Sequence, residues 1–342
     1  MKILFIDRST RLKTVHDLDT IPRGGMVQSL FRVSDYLASK GHTVHVYSDI
    51  IEGGYTEAGA WWVPNSNWQL NNYDVLICNR GVGTGYPEIN AKRRVLWTHD
   101  LPHSGFIPEP KMASVFETVF MSRYSERVWR KFYKDIGKSY FIPNGVDDYF
   151  FPREKDLKKI VYFFHPNRGL KRLDFIAACI KARVPGVQVE AYSSGLMYPT
   201  DNEVLGDHVD MDLPHTTGNV ALNQPVVSAD LADIIGRAGL TILPTGYPEI
   251  CSNSVLQSLK SGTPLVTTGG LGATPEWVKH NHNGLLTTFL PNDYMVYTVE
   301  IVRMVTSLLS DKKRHLKLIN NSSKTPVWSW EKVGRAWLKL LS

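Results

Sequence analysis

The chain has 342 residues, 43% of them apolar, and carries a net charge of +6 at neutral pH. This length and apolar content favour two globular domains, each with its own core, and exclude a disordered or repetitive chain. No apolar run approaches the ~20 residues of a membrane span, and Asp7 ends the N-terminal run too early for a signal peptide, so we expect a cytosolic protein. The positive charge favours anionic partners, which include nucleotide sugars, acidic lipids and nucleic acid.

The N-terminal half alternates short apolar runs with helical patterns, which is typical of a parallel α/β sheet. The runs predicted as buried strands are Ile3–Ile6, Val44–Tyr47, Val75–Cys78, Val95–Thr98, Val119–Met121 and Tyr140–Ile142. After the first strand we expect a loop over Arg8–Arg23. Gly24 and Gly25 then open a helix with an apolar period of about 3.6 residues, which ends at Lys40-Gly41. These elements predict one doubly wound sheet.

Two polar features stand out in this half. His99 and Asp100 follow the strand Val95–Thr98, and ligands of open α/β sheets bind at the carboxyl ends of strands; His103 is close by in sequence. The segment Arg123–Lys138 interleaves basic residues with Trp129, Phe132 and Tyr133. Such a helix either rests on an anionic membrane surface or turns its aromatic side chains into the core, and the second alternative is favoured.

The second half repeats the strand and helix alternation. Its predicted strands are Ile160–Phe164, Val187–Tyr192, Leu240–Leu243, Leu265–Thr268 and Leu285–Thr287. After the first of these strands come Arg168, whose guanidinium fork suits phosphate oxygens, and Lys171, which brings a mobile positive charge. Two sheets in tandem imply two Rossmann-like domains with a cleft between them. The turn-rich stretch 142–148 is the expected boundary.

The segment 244–268 joins a loop to a short helix and then to a buried strand. Glu249 follows Pro248, and the small polar residues Ser252, Asn253 and Ser254 suit a helix start; the helical run ends at Gly262. A helix N-terminus favours anions such as phosphate, and a carboxylate beside it accepts hydrogen bonds from sugar hydroxyls. The segment therefore predicts a site for a phosphorylated ligand.

This segment resembles the donor-site signature of retaining GT-B glycosyltransferases of family 4, which pairs two Glu residues ahead of a Gly-Thr-Pro-Val-Val-like strand. Glu249 matches the first Glu, whereas Gln257 replaces the second. The sequence Ile-Pro-Asn-Gly-Val-Asp at 142–147 matches the interdomain linker of that family. Residues 328–341 resemble its last helix, which crosses back to the first domain. Trp330, Val333, Trp337 and Leu341 would form the buried stripe of that helix.

The resemblance implies an α/β protein of the GT-B class, with two doubly wound parallel-sheet domains facing a cleft. An N-terminal acceptor domain would span 1–146 and include the last helix, 327–342, and a nucleotide-sugar donor domain would span 147–326. Glu249 and His99 would contact the donor sugar and Gln257 the ribose. Arg168, Lys171 and the Gly24-Gly25 pair would approach the diphosphate.

Weaker matches place Tyr192, Gly218 and Asn219 near the nucleobase, ahead of a helix at 228–237. The activity expected from the resemblance is transfer of a hexose from a UDP- or GDP-sugar to a glycan or lipid acceptor, with retention. The resemblance implies a reaction without a cofactor or a metal. Cys78, Cys179 and Cys251 lack metal-ligand spacing, which argues against a zinc site. Three alternatives stay open: a nucleotide-sugar epimerase, a glucosyltransferase acting on DNA, and a nucleotide-sugar binder without activity. No recognisable DNA-binding motif is present in the sequence, which makes nucleic acid the least favoured partner.

Overall fold

The structure is a computed structural model, and it describes residues 1–65, 72–81, 89–102, 114–193 and 218–342. The chain divides into two compact units. Among the described residues, the N-terminal unit holds 1–145 and 328–342, and the C-terminal unit holds 146–193 and 218–327.

A parallel sheet forms the centre of the N-terminal unit, with the described strands in the order β3-β4-β2-β1-β5-β6-β7-β8. They are β1 (Lys2–Thr14), β2 (Thr43–Glu52), β3 (Gly54–Tyr55), β4 (Trp61–Pro64), β5 (Tyr73–Asn79), β6 (Ala91–Trp97), β7 (Glu117–Phe120) and β8 (Ser139–Phe141). Only the β3–β4 pair is antiparallel among them. The six predicted strands are confirmed. Two strands were not predicted: β3 has only two residues, and β4 is a short run that ends in Pro64.

The loop predicted over Arg8–Arg23 is wrong in its first part. Strand β1 continues to Thr14, and after a register shift beyond Ile6 it pairs Leu12 with Ile50 of β2. Leu12 is fully buried, so its apolar side chain accounts for the longer strand. A short helix α1 (Asp17–Thr20) follows.

Helix α2 (Gly25–Ser39) begins where the sequence predicted it, and its apolar face is buried. The last helix, which we label α10 (Trp330–Leu341), packs against α2. The contact is close, because a Cβ at Gly334 would lie 2.2 Å from the Tyr36 ring. All four residues of its predicted stripe are buried: Trp330, Val333, Trp337 and Leu341.

The basic segment predicted as one helix over 123–138 is shorter in the structure. Helix α3 (Arg123–Phe132) ends at Phe132. Trp129 and Tyr133 are buried in the core, and Phe132 is 45% exposed. Arg123 and Arg130 both pair with Glu126 on the helix surface. Two of the three aromatic side chains therefore face the core, as the favoured alternative expected. Across the described part of the chain, no helix has the length and apolar character needed to cross a membrane.

The described strands of the C-terminal unit are all parallel, in the order β11-β10-β9-β12-β13-β14. They are β9 (Asp156–Tyr162), β10 (Gln188–Tyr192), β11 (Ala221–Asn223), β12 (Ala238–Leu243), β13 (Leu265–Thr267) and β14 (Gly284–Leu286). The helices are α4 (Leu170–Lys181), α5 (Ser228–Arg237), α6 (Asn253–Lys260), α7 (Thr274–Trp277), α8 (Tyr294–Ser310) and α9 (Lys312–Ser323). All five predicted strands are confirmed.

Candidate functional site

Arg168 and Glu249, predicted from separate motifs, form an ion pair in the C-terminal unit. The Arg168 Nε donates to Glu249 Oε1 at 2.6 Å. The Arg168 guanidinium also stacks on the Tyr247 ring, with its Cζ 3.7 Å from the ring centroid. Burial raises the pKa of the Glu249 carboxyl above its usual value, and the nearby charge of Arg168 opposes this rise. The pair is therefore held from two sides, by the aromatic stack and by the hydrogen bond.

Local backbone structure brings Arg168 to this position. A 3-10 turn (Pro166–Arg168) follows β9, and the His165 side chain accepts a hydrogen bond from the Asn167 amide. Gly169 then takes a left-handed φ of 106°, which suits glycine, and starts α4. A Cβ at Gly169 would lie 2.2 Å from the Pro244 carbonyl oxygen. The turn that carries Arg168 thus lies directly on the loop that carries Glu249.

A second glycine contacts the same loop from another element. Gly272, with a left-handed φ of 68°, lies so close to Glu249 that a Cβ would be 2.5 Å from its amide nitrogen. The Glu249 carbonyl accepts a hydrogen bond from the Ala273 amide at 2.6 Å. Gly169 and Gly272 therefore confine the backbone of the Pro244–Glu249 loop, and this confinement fixes the acid.

Helix α6 begins three residues after Ile250, at Asn253, with Ser252 as its N-cap residue. The first intrahelical hydrogen bond in this stretch runs from the Leu256 amide to the Ser252 carbonyl. The amides of the first turn therefore precede the hydrogen-bonded part of the helix, and their partial positive charge favours an anion. Ser254 is half-buried and Asn253 is buried. In the described part of the chain, the Ser252 side chain makes no capping hydrogen bond.

Gln257 lies in the second turn of α6 and is buried. Its amide group carries both a donor and acceptors, so a diol remains within its chemical range. Its assignment to the ribose stays a prediction.

The remaining predicted donor contacts fall in different surroundings. Lys171 is exposed in the first turn of α4. The Tyr192 hydroxyl donates to Glu190 at 2.8 Å, and burial is the main cause that raises the pKa of Tyr192 to about 12. Gly218 has a left-handed φ of 83° and precedes Asn219 and β11. The hydroxyl of Tyr192 already has an acceptor on its own strand, which leaves Tyr192 the weakest of these predictions.

In the N-terminal unit, Gly24 and Gly25 lie at the start of α2, as predicted. Gly24 is the N-cap residue with φ −65° and ψ 151°, a backbone conformation open to every residue. Backbone freedom therefore does not explain this glycine, and its proposed role of close approach to a diphosphate stays a prediction.

His99 lies just beyond the carboxyl end of β6, with its ring 4.5 Å from the Trp97 ring. Its Nε2 atom is buried and has no hydrogen-bond partner within the described residues. Burial, followed by the charge of Arg80, lowers the pKa of His99 to about 3. The imidazole is therefore neutral at physiological pH. His103, also noted from the sequence, lies outside the described residues.

Arg80, which the sequence analysis missed, contacts the segment that carries His99. It follows β5 and forms an ion pair with Asp100 through its Nε atom. Its position at the carboxyl end of a predicted strand was the available signal, but the strand was predicted to end at Cys78. Asp100, noted from the sequence at the carboxyl end of the same strand as His99, thus has a basic partner.

The depressed pKa of His99 predicts a pH dependence of stability. Its folded pKa of about 3 lies below the ordinary value of 6.5, so the unfolded chain takes up a proton that the folded chain does not. The free energy of unfolding should therefore fall as the pH drops through this window, by about 1 to 2 kcal/mol between pH 7 and pH 5.

Urea unfolding of the wild type and of His99→Gln at both pH values measures the contribution of His99 to this loss of stability. All other titrating groups are common to the two proteins, so the variant should lose less stability at pH 5 than the wild type. Equal losses in both proteins would show that His99 titrates normally in the folded state.

In the ranges that the structure describes, no three His, Cys, Asp or Glu side chains gather into a group suited to a metal ion.

No protein-family model matches the chain, and no curated protein matches it. Solved structures do. Sucrose-phosphate synthase from Thermosynechococcus elongatus has a TM-score of 0.75 at 14% identity, over 99% of this chain and 98% of that chain. WaaG, a glycosyltransferase involved in lipopolysaccharide biosynthesis, has a TM-score of 0.69 at 12% identity, over 99% of both chains. Anabaena HepE in complex with UDP and glucose has a TM-score of 0.68 at 14% identity, over 100% of this chain and 99% of that chain.

The chain has the GT-B fold. This confirms the predicted fold class of two Rossmann-like parallel-sheet domains, with the last helix returning to the first of them. At these identities the likeness shows the fold alone.

Proposed function

We propose that the protein is a retaining glycosyltransferase that moves a hexose from a UDP- or GDP-sugar to a hydroxyl of a glycan or lipid acceptor, without a metal. The Arg168–Glu249 pair is the observation that carries this proposal. One member of the pair suits phosphate and the other suits sugar hydroxyls, as expected for a ligand that contains both. The GT-B fold, shared with a structure that holds UDP-glucose, supports a nucleotide-sugar donor.

The geometry of the pair allows Arg168 and Glu249 to bind different parts of one ligand at the same time. Arg168 has five N–H donors in a planar fork, and Glu249 takes the one on Nε. The terminal nitrogens remain oriented by the Tyr247 stack, and they suit two phosphate oxygens. Glu249 keeps its other oxygen, Oε2, for hydroxyl groups of the sugar. The pairing thus aims the arginine without using its whole donor capacity.

The start of α6 supplies the second anion-binding element in the proposal. Its first-turn amides and Arg168 would share the diphosphate, and Gln257 would hold the ribose. On the N-terminal unit, the imidazole of His99 is neutral, so each ring nitrogen is either a donor or an acceptor. His99 would donate one hydrogen bond to a hydroxyl of the transferred sugar or accept one from it.

The proposed reaction breaks the bond between the anomeric carbon and the phosphate oxygen and forms a bond from that carbon to the acceptor oxygen. The acceptor attacks from the face that the phosphate leaves, so configuration is retained. The leaving phosphate oxygen takes the proton of the acceptor hydroxyl, which removes the need for a protein base. Arg168 and the helix amides stabilise the charge that builds on the phosphate.

A thermal-shift panel tests the donor site directly. UDP-, GDP- and ADP-sugars and their free nucleotides are added with and without EDTA. A ligand at 100 times its dissociation constant should add about 2.7 kcal/mol to the free energy of unfolding. We expect stabilisation by one nucleotide class that EDTA does not remove.

A transfer assay with the stabilising donor then separates the candidate activities. Sugar appearing on added glycan or lipid acceptors supports the proposal, whereas donor conversion without acceptor indicates an epimerase. If no nucleotide raises the melting temperature, the proposed donor site is wrong. Stabilisation that disappears with EDTA would overturn its metal independence.

A further inference from the structure

The segment that carries His99 is anchored on both sides of the histidine. Before it, the Trp97 carbonyl accepts from the Arg80 amide at 2.8 Å, and the Thr98 amide and hydroxyl both donate to the Val119 carbonyl. After it, the Asp100 carbonyl accepts from Trp129 Nε1 at 3.0 Å. The Asp100 carboxylate pairs with Arg80. His99 is thus the one residue between two fixed neighbours.

Arg80 contacts both ends of this short segment. Its backbone amide holds Trp97, and its guanidinium holds Asp100. Arg80 also has a left-handed backbone with φ 72°, a conformation that costs free energy for most residues other than glycine. Strained residues of this kind persist where the surrounding structure requires them, and they gather at functional sites.

The ring of His99 is neutral and, among the described residues, has an unpartnered nitrogen, which indicates a function for the fixed backbone around it. Its Nε2 is buried without a partner in the described part of the chain, although buried polar atoms are as a rule hydrogen-bonded. Burial, and after it the positive charge of Arg80, disfavours a second proton on the ring and so lowers the pKa of His99. An unpartnered, neutral imidazole on a fixed backbone is suited to form a hydrogen bond with a polar group of a bound ligand.

We propose that Arg80, through its contacts with Trp97 and Asp100, is a positioning residue that fixes His99 for a hydrogen bond to a hydroxyl of the transferred sugar. The inference rests on the proposed function and adds to it a residue that does not touch the substrate. Because Arg80 acts through His99, its removal should matter only while His99 is present.

Arg80→Gly is the central variant, since glycine accepts the left-handed φ and only the side chain is lost. Its melting temperature should stay near that of the wild type. Its kcat for sugar transfer should fall about 10- to 100-fold, because small errors in position are costly to catalysis. Its stabilisation by the nucleotide alone should be unchanged. Arg80→Lys retains the charge and should recover part of kcat.

Asn281→Gly is the matched control. Asn281 is the other non-glycine residue with a left-handed φ in the described ranges, and its side chain also has a basic partner, Arg314. This variant should transfer sugar at the wild-type rate.

A double-mutant cycle with His99→Ala decides the inference. In the His99→Ala background, Arg80→Gly should change kcat less than about 3-fold, since positioning has nothing left to act on. An equal loss in both backgrounds would show that Arg80 acts independently of His99 and would overturn the inference. A wild-type protein that transfers no sugar from any donor would overturn the proposed function and this inference together. Active wild-type protein with additive losses would overturn the inference alone.

Discussion

Arg168→Ala should lower the rate of sugar transfer by about 100- to 1,000-fold, the range seen when a group that stabilises transition-state charge is removed. The loss should appear in kcat, because charge on the leaving phosphate grows as the glycosidic bond breaks. Arg168→Lys should recover only part of the rate. Lysine brings the charge but neither the planar fork nor the stack on Tyr247. Steady-state kinetics with the donor found in the thermal-shift panel measure both variants.

Arg153 provides a closely matched control in the same unit. Its side chain is 25% exposed against 26% for Arg168, and it pairs with Asp233 at 3.3 Å. It also stacks on an aromatic ring, that of Phe151 at 3.4 Å. Arg153 precedes β9, whereas Arg168 follows it, so the two arginines lie at opposite ends of that strand. Arg153→Ala should keep the wild-type rate of transfer. If both variants lose the same activity, the effect of Arg168→Ala is a general loss of packing.

The strands of both sheets were predictable because parallel strands covered on both faces appear as continuous apolar runs. Ile3–Ile6 and Val75–Cys78 are such runs, and the residues of both are fully or almost fully buried. The second part of β1 was missed because Arg8 and Arg11 interrupt the apolar pattern there, although Leu12 still pairs with β2. A strand with charged residues in it has no continuous apolar run, so a prediction based on such runs does not find it.

The members of the candidate site were predictable singly, and their pairing was not. Arg168 and Glu249 each follow a predicted strand, but they are 81 residues apart, and only the fold brings them together. Arg80 escaped notice because its role depends on a backbone angle and on a contact with Asp100. Neither of these is encoded in the local pattern of residue types. The sequence thus shows which groups are available, and tertiary contacts decide which of them act jointly.

Gly272→Ala should both destabilise the fold and displace Glu249. The new Cβ would lie 2.5 Å from the Glu249 amide nitrogen and 2.6 Å from its carbonyl oxygen, and these backbone atoms cannot move without disturbing the pair with Arg168. The left-handed φ of 68° adds strain of its own. We expect a loss of about 2 to 4 kcal/mol in the free energy of unfolding, together with a fall in transfer rate of about 100-fold. Urea unfolding and transfer kinetics measure the two losses.

Gly270→Ala separates the two causes of that loss. Gly270 has the same φ of 68°, but a Cβ there meets nothing within 4 Å. Its substitution should therefore cost only the backbone strain, about 1 kcal/mol, and should leave most of the transfer activity. The difference between the two variants is the contribution of the contact with Glu249. If the variants lose equal stability and equal activity, Gly272 does not hold Glu249 in place. The position of Glu249 would then depend on Gly169 and on the rest of the Pro244–Glu249 loop.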